Sequence, residues 1–101
     1  MEIIHLQDEK LEDLKKEGNV LVDFYADWCG PCKMLGGVLE SLSEERADLK
    51  IVKINVDQHQ DIAGEYGVMS IPAVFLFKDG QETNRFIGYK TLEEIEEMIN
   101  E

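Results

Sequence analysis

The two cysteines of this chain, Cys29 and Cys32, are separated by two residues and lie between an apolar run and a helical pattern. The run 20–26 is apolar except for Asp23, which is typical of a central strand covered on both faces. A helix is predicted after the cysteines, because apolar side chains recur at helical spacing at Leu35, Val38, Leu39 and Leu42. A helix N-terminus stabilises a thiolate, the nucleophile of disulfide exchange. The sequence therefore predicts a reactive dithiol at a strand-to-helix turn.

Length and charge limit the classes of partner. The chain has 101 residues, of which 44% are hydrophobic, so we expect a single globular domain over 1–101. Its net charge of −12 disfavours binding to a nucleic-acid backbone or to anionic lipid. Residues 1–8 lack the basic and long apolar segments of a secretory signal. We therefore expect a cytoplasmic protein with neither nucleic-acid nor membrane partners.

Strand and helix patterns alternate along the chain, which predicts an α/β fold. Strands are expected at 3–6, 19–26, 50–56, 73–77 and 82–88, the last two joined by a hairpin at Asp79-Gly80. Helices are expected after a cap at Asp8, from the dithiol to about residue 47, and after a cap at Asp57. The pair Thr91 and Glu94 has the spacing of a capping box, which predicts a final helix.

The pentapeptide at 28–32, Trp-Cys-Gly-Pro-Cys, follows Val-Asp-Phe-Tyr-Ala at 22–26, and together they resemble the thioredoxin family. The resemblance extends along nearly the whole chain. It implies a mixed central sheet of about five strands flanked by about four helices. It also implies a dithiol–disulfide oxidoreductase that reduces protein disulfides, with Cys29 as the exposed, low-pKa nucleophile and Cys32 as the shielded, resolving thiol. A separate thioredoxin reductase would return the electrons, because no nucleotide- or flavin-binding glycine motif occurs and no cofactor is expected.

Zinc binding is the alternative use of two cysteines at this spacing. Zinc usually takes four ligands in structural sites. Only His5, His59 and carboxylates remain to complete such a set, and none has a paired spacing. We therefore expect no bound metal.

Asp23 is an acid inside an apolar strand, six residues before Cys29. From the residues alone it is either a buried acid with a raised pKa or a solvated carboxylate at a sheet edge. The resemblance implies the buried acid, which exchanges a proton with Cys32. Lys53 interrupts another apolar strand, and it either reaches solvent or pairs with an acid. The resemblance places Lys53 near Asp23 as a modulator.

The residues expected to bind substrate surround the dithiol. An Ile71–Pro72 bond is usually trans on the sequence alone. The resemblance implies instead a cis-proline loop that faces the dithiol, with the backbone of Ile71 pairing with an extended substrate peptide. Trp28 would form the floor of a shallow apolar groove. The remaining members of this predicted site are Gly30, Pro31, Val56, Ile87 and Gly88. Gly88 either forms a strand bulge or leaves space for the substrate backbone. Met34, Met69 and Met98 are interpreted as core or rim residues.

Gly36 and Gly37 depart from the family pattern. The family usually has a proline at the position of Gly37, which bends the active-site helix. Each glycine inside a helix costs about 0.8–1 kcal/mol relative to alanine. The sequence therefore does not determine the shape or the stability of this helix, while the dithiol motif is intact.

Two other functions compete with a reductase. An oxidase or isomerase would use the same dithiol at a different reduction potential, which the residues between the cysteines tune. A binding module would use the fold without the thiols, docking through the acidic face of the last helix. We expect a monomer that acts on disulfide-containing proteins.

Overall fold

Five strands form one mixed sheet in the computed structural model, which describes residues 2–101. The strands are β1 (Glu2–His5), β2 (Asn19–Tyr25), β3 (Leu49–Asn55), β4 (Ala73–Lys78) and β5 (Gln81–Ile87). The helices are α1 (Leu11–Lys15), α2 (Gly30–Glu45), α3 (Gln60–Glu65) and α4 (Leu92–Ile99). The strand order is β1-β3-β2-β4-β5. The predicted α/β fold, with about five strands and four helices, is confirmed.

Strand β2 lies at the centre of the sheet. It pairs in parallel with β3 and antiparallel with β4, and every residue from 20 to 24 has 0% of its surface exposed. This burial explains the nearly continuous apolar run, because helices cover both faces of a central strand in such a sheet. Asp23 therefore lies in the middle of the protein, opposite Lys53 of β3 and Val74 of β4.

Alternate residues of β2 face two separate cores, as the two-residue period of a strand requires. Val20, Val22 and Phe24 pack in the core that includes residues of α1 and α3. Leu21 packs in the opposite core, with Leu35, Leu39 and Leu42 of α2 and Ile95 of α4. Asp23 follows Leu21 by two residues, so its side chain is on the α2 side of the sheet. Lys53 shares that side, because it follows Ile51 of the same core by two residues.

Two predicted helix caps are wrong. Helix α1 is capped at Lys10 rather than Asp8, and α3 is capped at His59 rather than Asp57, neither with a side-chain hydrogen bond. The Asp57 carboxylate instead accepts a hydrogen bond from the Trp28 indole. The predicted capping box is confirmed, because the Thr91 hydroxyl and the Glu94 carboxylate each accept the other residue's backbone N–H.

Helix α2 continues without interruption through both glycines. Gly37 is exposed, its backbone is helical, and a Cβ atom added to it would have no neighbouring heavy atom within 4 Å. We therefore expect Gly37→Ala to raise the free energy of unfolding by about 0.4–1 kcal/mol, because alanine restricts the unfolded chain without a clash. Urea denaturation of both proteins measures this difference. A loss of stability would show that Gly37 serves a bend or a close contact.

Candidate active site

The dithiol lies where β2 leads into α2. Cys29 is the N-cap of α2, and Cys32 lies one turn into the helix, with Pro31 in the first turn. The two sulfur atoms are joined as a disulfide, with a Cα–Cα distance of 5.2 Å. The Cys32 backbone N–H donates to the Cys29 Sγ at 3.2 Å. In the reduced protein this donor and the helix N-terminus would favour a thiolate at Cys29.

The two cysteines are equally shielded in the disulfide form. The exposed fraction is 5% for Cys29 and 4% for Cys32, so the predicted exposure of Cys29 is wrong for this state. The shielding comes from Ala26 together with partly buried Tyr25, Val56 and Ile71. What distinguishes the Cys29 sulfur is its position at the helix N-cap, 4.0 Å from the carbonyl oxygen of Ile71.

The loop before β4 faces the Cys29 sulfur. The Ile71–Pro72 peptide bond is cis, as the resemblance implied. The Gly88 N–H donates to the Pro72 carbonyl oxygen at 2.8 Å, which ties the end of β5 to this loop. Gly88 has a φ of 91°, a left-handed backbone that favours glycine. It is not a strand bulge, because β5 ends at Ile87 and the pairing irregularity lies between Leu76 and Phe77.

A small apolar pocket adjoins the same loop. Its volume is about 170 Å³, and it is lined by Trp28, Val56, Ala63, Val68, Met69 and Ile71. The Trp28 side chain is 71% exposed, and its indole N–H donates to an Asp57 carboxylate oxygen at 3.0 Å. This hydrogen bond holds a flat aromatic surface at the pocket, where a substrate chain can lie, and Trp28 directly precedes Cys29 in the sequence.

Asp23 is buried on the α2 side of the sheet with an incomplete set of partners. Neither carboxylate oxygen has a hydrogen-bond partner, and Lys53 Nζ lies 3.9 Å from Oδ2. Burial raises the pKa of Asp23 to about 6, and the positive charge of Lys53 opposes that rise. The alternative of a solvated carboxylate at a sheet edge is therefore wrong. An acid with this pKa can take and return a proton near neutral pH.

A groove brings the side chain of Lys53 together with Cys32. It has a volume of about 280 Å³ and lies along the first turns of α2. Cys32 and Lys53 both contribute to its walls. Cys32 therefore meets Lys53, the ion-pair partner of Asp23, at one groove.

Comparison with known proteins identifies the family. The family model described as Thioredoxin matches residues 2–101. The chain belongs to the thioredoxin family. It is 48% identical to the thioredoxin of Bacillus subtilis over 101 residues, which cover 99% of this chain and 97% of that protein. It is 51% identical to the thioredoxin of Chlamydia caviae over 84 residues, or 83% of this chain and 82% of that one.

A solved thioredoxin-family structure has the same fold. A mutant thioredoxin from Halobacterium salinarum superposes with a TM-score of 0.88 at 39% identity, covering 98% of this chain and 88% of that chain. The family match, together with the Cys29–Cys32 disulfide, shows that the protein is a thiol–disulfide oxidoreductase.

The structure brings together most of the thioredoxin-family residues predicted for substrate binding. Trp28, Val56 and Ile71 share the apolar pocket. Pro72 is joined to Gly88 by the hydrogen bond described above. Exposed residues of the same region are Gly30, Pro31 and Ile87, and none of the three lines the apolar pocket.

Three residues of the apolar pocket were not predicted to bind substrate. They are Ala63, Val68 and Met69. Met69 is 94% exposed and lines this pocket, so it is a rim residue rather than a core residue. Its place in the chain, three residues before Pro72, is the one sequence signal that indicates this site.

The described part of the chain has neither a candidate metal cluster nor a membrane-spanning helix. Within residues 2–101, no three His, Cys, Asp or Glu side chains are grouped so that they could hold a metal ion. His59 is engaged elsewhere, with its Nε2 atom 3.0 Å from the Leu6 carbonyl oxygen. None of the helices in the same range has the length and apolar character needed to cross a membrane.

Proposed function

We propose that this protein reduces the disulfides of other proteins, with Cys29 as the nucleophile and Cys32 as the resolving thiol. The observation that supports this assignment is the position of the Cys29 sulfur. It accepts the Cys32 backbone N–H at the N-terminus of α2 and lies beside the Ile71 carbonyl. A helix N-terminus and an amide donor both favour a thiolate, so Cys29 is the better nucleophile of the pair.

The proposed reaction transfers two electrons through a mixed disulfide. The Cys29 thiolate attacks one sulfur of the substrate disulfide, and the other substrate sulfur leaves as a thiolate. The Cys32 thiolate then attacks the Cys29 sulfur and displaces the second substrate thiolate. The substrate is now a dithiol, and this protein holds the Cys29–Cys32 disulfide that the structure contains.

Asp23 is proposed as the proton acceptor for Cys32 in the second step. The Cys32 thiol must lose its proton before it can attack. A carboxyl with a pKa of about 6 is ionised at neutral pH and can take that proton. Lys53 modulates this exchange, because its charge favours the ionised form of Asp23.

Substrate binding is proposed at the cis-proline loop and the adjoining apolar surface. The Ile71 backbone, next to the Cys29 sulfur, would pair with an extended segment of the substrate. Trp28 and Val56 would contact its side chains through the apolar pocket. The exposed residues Gly30, Pro31 and Ile87 would bound the segment, with Gly88 and Pro72 holding the loop in place.

The redox cycle requires a partner that returns the electrons. We assign this role to a separate thioredoxin reductase, because the chain has two cysteines and no motif for a nucleotide or a flavin. A dithiol that works as a reductant suits a reducing compartment, so we place the protein in the cytoplasm. The family match over residues 2–101 supports a single domain, which we propose acts as a monomer.

The reduction potential of the Cys29–Cys32 pair tests this proposal. Equilibration of the full chain with glutathione, followed by quantification of both redox forms, should give a value more negative than about −230 mV. A value near or above about −180 mV, the range of disulfide isomerases, would contradict a reductase. A binding module would be indicated if the protein failed to reduce a protein disulfide even when a chemical dithiol recycled it.

A further inference from the structure

A bare stretch of helix α2 faces the ammonium group of Lys53. Gly36 and Gly37 both line the groove of about 280 Å³ and supply no side chain to it. A Cβ atom added to Gly36 would lie 3.5 Å from Lys53 Nζ. One added to Gly37 would have no neighbouring heavy atom within 4 Å. The two adjacent glycines therefore differ in one respect that matters for the site: only Gly36 borders the ammonium group.

The Lys53 ammonium group is near Asp23 and Tyr25 without a direct hydrogen bond to the Asp23 carboxylate. Lys53 Nζ is 3.9 Å from Asp23 Oδ2, which exceeds hydrogen-bond distance. It also lies 4.8 Å from the centre of the Tyr25 ring, as in a cation–π contact. A lysine has a long, flexible stem. Its charged end can therefore be moved by a change in the room available beside it.

We propose that Gly36 is a positioning residue, whose missing side chain leaves the space in which the Lys53 ammonium group sits beside Asp23. This inference rests on the proposed function, in which Asp23 accepts the Cys32 proton. A side chain longer than a methyl group at position 36 would fill that space and push the ammonium group along the groove towards solvent. Its attraction to the Asp23 carboxylate would then be weaker, because charges interact less in water than in the protein interior.

Other titratable or charged groups also line the groove. They come from the end of β2, from the following turn and from α2, and they are Tyr25, Asp27, Cys32, Lys33 and Glu40. The positive charge of Lys53, by contrast, lowers the pKa of Asp23 against the effect of burial. Displacement of Lys53 alone should therefore raise the pKa of Asp23.

The test compares Gly36→Leu with the matched control Gly37→Leu, and uses Lys53→Met as the reference for complete loss of the ammonium group. The readout is the pH titration of the Asp23 carboxyl carbon by NMR in the oxidised full chain, in which the cysteines do not titrate. Gly36→Leu should raise the Asp23 midpoint by about one pH unit, towards the value in Lys53→Met. Gly37→Leu should leave the midpoint unchanged. Gly36→Ala should also leave it unchanged, because a Cβ at 3.5 Å is in ordinary contact with Nζ.

A double substitution separates displacement of Lys53 from a general disturbance of the helix. In the Lys53→Met background, Gly36→Leu should add no further change to the midpoint, because the group it acts through is gone. An additional rise there, an equal rise in Gly37→Leu, or an unchanged midpoint in Gly36→Leu would overturn the inference. If Gly36→Leu folds poorly, Gly36→Met applies the same test with a more flexible side chain.

The rate of mixed-disulfide resolution distinguishes this inference from the function on which it rests. If Asp23 accepts the Cys32 proton, the pH profile of resolution in Gly36→Leu should move to higher pH with the NMR midpoint. If the midpoint moves and the kinetic profile does not, Gly36 still positions Lys53, while the proton-acceptor role of Asp23 fails.

Discussion

Replacement of Cys29 by serine is expected to abolish the reduction of a model protein disulfide, with a loss of rate of at least about 1,000-fold. The attacking group is a thiolate, and a serine hydroxyl does not ionise near neutral pH. In the wild type the Cys32 backbone N–H lies 3.2 Å from the Cys29 sulfur. In the variant this donor would face a serine oxygen, which cannot perform the exchange. Turnover with a chemical dithiol as the electron source measures this loss without any dependence on the reductase.

Cys32→Ser is the matched variant, because it removes the resolving thiol and leaves the nucleophile in place. It should form a mixed disulfide with the substrate through Cys29 and then stop, so that a stable covalent complex accumulates. Mass spectrometry of the trapped complex identifies the cysteine involved. A complex through Cys32 in the Cys29→Ser variant, formed at a similar rate, would reverse the proposed roles. So would faster alkylation of Cys32 than of Cys29 in the reduced protein at neutral pH.

The elements that position the dithiol could be predicted from the sequence because they depend on local patterns. The apolar run at 20–26 specifies a central strand, and the leucines after Cys32 specify one face of α2. Both signals are repeated over several residues, so an error at one position does not change the outcome. The capping box at Thr91 is equally local, since its two hydrogen bonds join residues three apart.

The features that the sequence did not predict depend on contacts between distant segments. Asp57 was expected to cap α3, but its carboxylate accepts a hydrogen bond from Trp28, which is 29 residues away in the chain. Cys29 was expected to be exposed, but in the disulfide form it is shielded by residues that include Ile71, which is 42 residues away. Neither contact can be predicted from the spacing of the residues around Asp57 or Cys29.

The environment of Asp23 was predicted only in part from the sequence. The residues alone left a buried acid and a solvated edge carboxylate as alternatives, and the order of strands decides between them. Because β2 has a neighbour on each side, Asp23 cannot reach solvent at a sheet edge. We expect this burial without a hydrogen-bond partner to cost stability, as is common for a group kept for function.

Asp23→Asn is expected to stabilise the fold at neutral and alkaline pH. Burial raises the pKa of Asp23 from an ordinary value of 3.8 to about 6. As pH rises through this range, the unfolded chain releases the proton before the folded one, so the wild-type protein loses stability. The asparagine variant has no such ionisation. Its advantage over the wild type should therefore be about 3 kcal/mol larger at pH 8 than at pH 3, as measured by urea denaturation at both values. Asp27→Asn, at an exposed position next to the same strand, is the control and should change little.

Asp23→Asn should also slow the reaction, although it makes the protein more stable. Without a carboxylate at position 23, Cys32 loses its proposed proton acceptor, and resolution of the mixed disulfide should slow by about 100-fold at neutral pH. Attack by Cys29 should be affected less, because its thiolate is favoured by the N-terminus of α2. Stopped-flow measurement of the two steps separates these effects. Slower resolution together with higher stability is the expected outcome, since one buried charge causes both. If resolution kept its wild-type rate while stability rose, Asp23 would be a buried acid without a role in proton transfer.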